Sequence, residues 1–449
     1  MTRPQKLALV ISILASFVAF LDGSVVNVAL PAISRELHGG LVTQQWVADG
    51  YLITLGSLIL LAGSLSDLFG RKRILSAGLI GFGVTSLLCA LAPNSAVLIV
   101  ARGLQGAAGA LLVPSSLAVI ISVFNGAEQG KAIGTWTAWT GIAFIFGPLL
   151  GGFLVDWASW RLIFAINIVP IAICLWLMKK LETPEHTKGV KLDVLGAVLC
   201  SAGLAGAVFG LIEQPHYGWA SARILVPLLG GLLALGYFIW HERRSPIAML
   251  PLELFRVRNF LVGNIATFAI YGGLSIATFM IVIFLQQVSG YSALSSGLAL
   301  LPTTFVMFFL SPKFGALSGK YGPRLFMGLG PVVAGSGFIL MTRLSEHVTY
   351  WTQLFPAVVL FALGLSMTVA PLTAAVLGDV AEKHAGIASA VNNAISRIAG
   401  LLTIAAAGVV IGDKLDVAGF RRVMVTTGLL VIVGGLISAV GIRNRHAVE

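Results

Sequence analysis

A chain of 449 residues that is 57% hydrophobic and only 10% charged has too little polar surface to clothe a water-soluble fold, so lipid is the solvent for most of it. Its formal charge of +11 would suggest nucleic acid as a partner for a soluble protein. Here the Lys and Arg sit in short segments between apolar runs, which makes them a topology signal and gives no reason to expect nucleic-acid binding.

A bilayer core about 30 Å thick needs about 20 helical residues. In those units the first six spans fall at 7–30, 46–66, 74–92, 96–124, 131–155 and 162–179. The first runs on into LDGSVVNVALP without a small-residue cleavage site, so it reads as a true span and not a removable leader. Two further spans follow at 193–213 and 222–240, then six at 259–287, 294–312, 324–342, 352–375, 385–411 and 421–442. The expected fold class is all-α, a polytopic membrane protein of about fourteen transmembrane helices. Cys89, Cys174 and Cys200 lie inside these apolar runs with no metal or redox spacing, and no disulfide is expected. With the N-terminus inside, 20 of the 29 Lys and Arg fall on the cytoplasmic side and 7 opposite, leaving Arg102 and Arg397 within spans. That imbalance predicts both termini in the cytoplasm.

GSLSDLFGRKR (Gly63 to Arg73) lies between spans two and three, and GALSGKYGPR (Gly315 to Arg324) between the second and third spans of the last six. A corresponding basic loop at the same place in two six-helix halves is the trace of a parallel internal repeat. The expected division is an N-terminal bundle at 1–180, an inserted two-helix segment at 181–258 and a C-terminal bundle at 259–449.

Several motifs, in order along nearly the full length, resemble the major facilitator superfamily in its fourteen-helix drug:proton antiporter branch. LDGSVVNVALP is similar to that branch's LDxTVVNVALP, with Ser24 in place of Thr; GSLSDLFGRKR resembles GxLaDrxGRkxxl, with Leu68 replacing the usual basic residue after Asp67. RGLQGAAGA (Arg102 to Ala110) resembles RxxQGxgaA, and GIAFIFGPLLGG (Gly141 to Gly152) resembles the gxxxGPxxGG pattern of exporters. FLQQVSGYSALSSGLALLP and AGIASAVNNAISRIAG also look like that branch. The resemblance implies two pseudo-symmetric six-helix bundles plus two inserted helices, working by alternating access.

Asp22 lies about fifteen residues into its helix, hence about 22 Å from the cytoplasmic edge. Arg102, about 9 Å from the outer edge, is almost level with it. A bare carboxylate at that depth is costly, so it must face a cavity, be paired or hold a proton. Two readings stand: Asp22 takes and releases the coupling proton with Arg102 favouring release, or the two form a permanent buried pair that fixes spans one and four. Asp49, Asp156 and Glu213 fall near outer ends, where solvation is easy, so one deep acid predicts about one proton per cycle. Asp67 is expected either to cap a nearby helix N-terminus or to be simply solvated.

For the substrate, Asn27, Gln105, Gln286 and Asn393 are polar side chains in apolar spans, and Tyr51 and Trp139 offer aromatic faces suited to lipophilic cations. The resemblance places these among cavity-lining spans. It also assigns gating and packing to Gly63, Asp67, Gly70 and Arg71 in the first loop and to Gly141, Gly147, Pro148, Gly151 and Gly152 in span five, read as a close-packed seam between halves. No phosphate-cradling Gly-rich loop is present, and the seven histidines lie in loops or at helix ends, so neither a primary pump nor an intramembrane enzyme has its parts. The expectation is a non-enzymatic, proton-coupled exporter of lipophilic cationic or neutral small molecules in the plasma (inner) membrane. It should need no cofactor beyond the proton gradient and can act as a monomer. A lipid flippase or an uptake symporter on the same fold is the alternative.

Overall fold

The computed structural model describes residues 1–124, 126–181, 192–380, 385–412 and 415–444, and its elements are helical throughout. Among the described residues, thirteen helices are long and apolar enough to cross a membrane, and Leu162–Met178 is a shorter apolar segment in the position of the sixth span.

The first six spans are α1 (Arg3–Glu36), α2 (Leu41–Phe69), α3 (Arg71–Ala90), α4 (Ser95–Val123), the pair α5 (Gly126–Gly141) and α6 (Ala143–Trp157), and the pair α7 (Leu162–Ala165) and α8 (Ile168–Met178). Several helices outrun the expected spans because polar residues past the hydrocarbon still extend and cap them. At the start of α1 the Thr2 hydroxyl accepts from the Gln5 N–H while the Gln5 side chain accepts from the Thr2 N–H. That capping box satisfies two donors the helix leaves over. At the start of α4, Asn94 accepts from the Val97 N–H at 2.9 Å.

Spans five and six are each broken where the sequence predicted one helix. Between α5 and α6 the chain turns at Ile142, and the Ser24 hydroxyl of α1 donates to the Ala143 carbonyl at 3.1 Å. Between α7 and α8, Asn167 closes a tight turn by donating its N–H to the Phe164 carbonyl, an i to i+3 bond that departs from the α-helical pattern.

The inserted pair is α9 (Val194–Tyr217) and α10 (Ala222–Arg244). The last six spans are α11 (Arg258–Gln287), the pair α12 (Ala293–Ala299) and α13 (Leu301–Tyr321), α14 (Pro323–Leu340), α15 (Phe355–Gly378), the pair α16 (Ala385–Ala405) and α17 (Ala407–Ile411), and α18 (Val417–Gly441).

The chain forms two compact units. One comprises Met1–Ala207, Leu229–Met249 and Ser292–Leu294, the other Val208–Leu228, Leu250–Tyr291 and Ser295–Glu449. Each unit repeats one packing pattern. In the first, the first span packs on the fifth, the second on the fourth, and the third on the fourth and sixth (α1 with α6, α2 with α4, α3 with α4 and α8). In the second unit α11 packs with α16, α13 with α15, and α14 with α15 and α18, the same order. The two corresponding loops match in backbone as well. Gly70, between α2 and α3, has φ 93° and ψ 131°, and Gly322, between α13 and α14, has φ 84° and ψ 156°. A residue with a side chain rarely adopts that conformation, so the sharp turn between these helices requires glycine in both halves.

Small residues let the helices approach closely. A Cβ added at Gly106 of α4 would fall inside van der Waals distance of the Tyr51 carbonyl of α2, whereas one at Gly103 would meet the Gly50 carbonyl at an ordinary 3.7 Å. The Thr54 hydroxyl donates to the Gly103 carbonyl at 2.6 Å across the same crossing. Gly106→Ala is therefore expected to destabilise the protein by about 1–3 kcal/mol through overpacking, and Gly103→Ala to be tolerated. Thermal unfolding in detergent checks this, and equal melting temperatures for the two variants would contradict it.

The inserted pair is joined to the first unit by Ser201 of α9, whose hydroxyl donates to Ser57 of α2 at 2.8 Å. Just before α9, buried Asp193 accepts from the Gly196 N–H at 2.8 Å and meets His241 Nε2 at 2.8 Å. Burial pushes the Asp193 carboxyl up, but hydrogen bonds from Gly196, His241 and Glu242 outweigh it and hold the group below the ordinary aspartate value. A depressed carboxylate stabilises the fold fully above the unfolded value, near 4, and progressively less as the pH falls below it. The stability gap between wild type and Asp193→Asn is thus expected to be largest near neutrality and to narrow in acid, read from melts across pH; a gap that widens in acid would contradict it.

Candidate functional site

The first unit buries a polar cluster in its middle. Asp22 of α1 is 0% exposed and Arg102 of α4 is 2% exposed. Arg102 Nη1 donates to Asp22 Oδ2 at 2.6 Å and to Gln105 Oε1 at 2.6 Å, and its Nε donates to the Val47 carbonyl at 3.1 Å. Asp22 Oδ1 accepts from Gln105 Nε2 at 3.0 Å and from Asn167 Nδ2 at 3.0 Å. Gln105 Nε2 also reaches the Ser86 hydroxyl at 2.9 Å. The guanidinium lies over the Tyr51 ring, 4.3 Å from its centroid, with Phe164 at 5.7 Å.

Five of the six spans of this bundle thus converge on one carboxylate. Local sequence explains how. The one-turn spacing of Arg102 and Gln105 puts both on one face of α4. The break between α7 and α8 presents Asn167, and the close approach of Gly106 to the Tyr51 carbonyl brings α2 near enough for the Val47 carbonyl and the Tyr51 ring to flank the guanidinium. A carboxylate so enclosed is held by a full cation and two amide donors.

The level placement of Asp22 and Arg102 expected from depth alone is a direct contact in the structure. Gln105, expected on a cavity wall, is 0% exposed and belongs to this network instead. Tyr51, also expected to face substrate, is 3% exposed beneath Arg102. Asn27 is half-buried and Trp139 is 53% exposed. In the second unit, Gln286 Nε2 donates to the Ser296 hydroxyl at 3.0 Å. There Asn393 is half-buried, and its neighbour Asn392 donates to Asn264 and Thr267.

Of the loop residues, Gly70 makes the turn described above and Arg71 opens α3 half-buried; a Cβ at Gly63 would enter open space, and the Asp67 side chain lies outside the described residues. Gly141 precedes the break before α6 with open space around it. Pro148 sits inside α6. The seam expected between halves is, for Gly147 and Gly151, a contact within the first bundle: a Cβ on either would run into Ser24 and Val25 of α1. Ser24 is the small polar residue that both occupies this contact and bonds the helix break. Gly152 packs on the backbone of Leu294, and Asp156 accepts from the Ala293 and Leu294 N–H groups at 3.0 and 2.8 Å.

Sequence reasoning missed Asn167, Ser86 and the Val47 carbonyl. Asn167 was the findable one, an amide within the apolar sixth span. A backbone carbonyl leaves no trace in a sequence.

The model of the Major Facilitator Superfamily matches residues 12–404. The chain belongs to that superfamily. Among relatives of this major facilitator protein, the multidrug resistance protein Stp of Mycobacterium tuberculosis is 35% identical, over 93% of this chain and 78% of its own length. The puromycin resistance protein pur8 of Streptomyces alboniger is 34% identical, over 88% and 80%. The tetracenomycin C resistance and export protein of Streptomyces glaucescens is 32% identical, over 92% and 77%. Among solved structures, the peptide transporter POT in complex with sulfate shares the fold at a TM-score of 0.70 with 16% identity, over 98% of this chain and 94% of that one. The protein is a multi-pass membrane transporter of small molecules, homologous to drug resistance and export proteins, and not an enzyme.

Proposed function

We propose that this transporter exports lipophilic cationic or neutral small molecules from the cell in exchange for protons, with Asp22 as the proton-carrying group and Arg102 as the cation that displaces the proton. The observation that carries this reading is the enclosed Asp22, bonded by Arg102, Gln105 and Asn167. A carboxylate in the middle of a membrane bundle is costly to keep charged and is retained where its charge does work. Protonation removes the attraction that ties α1 to α4, so a proton arriving at Asp22 frees Arg102 and loosens the contact between the helices. Alternating access then couples proton entry to solute exit. The names of the three relatives, all resistance or export proteins, favour export as the direction. The charge imbalance of the loops favours the plasma membrane orientation with both termini in the cytoplasm.

The test uses purified protein in proteoliposomes with ethidium as a lipophilic monovalent cation. An imposed proton gradient should drive ethidium against the direction of proton flow, and an ethidium gradient should move protons the other way. Ethidium following the protons would make the protein a symporter, and ethidium transport unaffected by the proton gradient would remove the coupling altogether.

A further inference from the structure

The same bundle holds a second enclosed carboxylate in the opposite chemical situation. Asp49 of α2, about 12 Å along its helix, was expected in easy reach of solvent at the outer end; it is instead 0% exposed. Neither of its oxygens has a hydrogen-bond partner among the described residues. Asp22, by contrast, receives three donors.

The helices packed on α2 within its bundle are α1, α3 and α4. Their charged groups within the membrane are Asp22 and Arg102, and Arg102 is committed to Asp22, Gln105 and the Val47 carbonyl. Near the outer end of α2, Glu36 of α1 is taken by Arg161 and by the Trp160 N–H, and the neighbouring Arg35 is exposed. The remaining cations lie at the inner ends of α1 and α3, about five turns beyond Asp49. Among the described residues of these helices, no charge is placed to offset an anion at Asp49 and no donor bonds either of its oxygens. A buried carboxyl without partners exists as the neutral acid.

We propose that Asp49 is a second proton-binding site of the transport cycle, loaded in the state seen here while Asp22 is the anion. Two carboxyls in one bundle, one stripped of donors and the other saturated with them, are suited to hold and release protons at different points of a cycle. Releasing the Asp49 proton requires water or a donor to reach it, which a conformational change supplies. Each turnover then moves two protons inward for one solute outward. With a monovalent cation as cargo, one net positive charge enters per cycle, so an inside-negative potential drives export. This rests on the proton-coupled reading above, and it replaces the single-proton stoichiometry expected from Asp22 alone.

Two measurements test it. Infrared difference spectra of the purified protein in lipid, with and without H/D exchange at neutral pH, should show a protonated carboxyl stretch that is absent in Asp49→Asn and retained in Asp22→Asn. In proteoliposomes, protons moved per ethidium should fall from about two in wild type to about one in Asp49→Asn, with loss of the response to an imposed membrane potential. An unchanged carboxyl band in Asp49→Asn, or an unchanged proton ratio and voltage response, would overturn the proposal. If wild type shows no proton coupling at all, the proposed function fails, while the infrared band still decides whether Asp49 holds a proton.

Discussion

Asp22→Asn is expected to give a folded transporter whose export no longer responds to a proton gradient, falling to the rate of protein-free vesicles. Asn occupies the same volume, and its single amide oxygen can accept either from Arg102 or from Gln105 and Asn167, so part of the hydrogen-bonded geometry around position 22 survives. What it cannot do is bind and release a proton. The measurement is gradient-driven ethidium transport at matched protein content, with membrane abundance and thermal stability recorded alongside. Full gradient-driven transport in the variant would sink the assignment of Asp22. Loss of the folded protein, restored when Arg102 is also neutralised, would instead show that the pair serves only to hold α1 and α4 together.

Arg102→Met is expected to be the more damaging change to stability. It removes the guanidinium from a site 2% exposed and leaves the Asp22 carboxylate with two neutral amide donors. Breaking one partner out of a buried ion pair costs about 3–5 kcal/mol. The loss of stacking on Tyr51 and of the bond to the Val47 carbonyl adds to it. The expected result is low abundance in the membrane and a large drop in unfolding temperature. The double variant Asp22→Asn with Arg102→Met should recover stability, because no unpaired charge stays buried, yet remain inactive in gradient-driven transport. A double variant no more stable than Arg102→Met would show that the packing of Arg102, and not its charge, holds the helices.

The number of spans, the internal repeat and the meeting of Asp22 with Arg102 were all readable from the chain. Each follows from one-dimensional quantities: the length of an apolar run against the thickness of a bilayer, the recurrence of one loop, and depth counted along a helix. The positive φ shared by Gly70 and Gly322 adds a backbone match to the two loops that the repeat pairs.

Side-chain facing was not readable, and it decided the rest. A span buried on several sides has no polar face to reveal its rotation, so nothing distinguished a glutamine in a network from one on a cavity wall. Gln105 and Tyr51 were therefore expected to meet substrate, and they enclose Arg102. Counting along α2 put Asp49 near an end and hence near water, but exposure is set by what packs against a helix, not by distance along it, and the packing leaves it none. The breaks at Ile142 and at Asn167 arise because tertiary bonds from Ser24 and to Asp22 compensate the interrupted helices. The sequence by itself determined that this protein spans the membrane as a repeated helical transporter with a deep acid and a deep cation, because hydrophobic length and charge are properties of residues. Only the tertiary structure decided which carboxyl is saturated with donors and which has none, because solvation inside a bundle belongs to neighbours far apart in the chain.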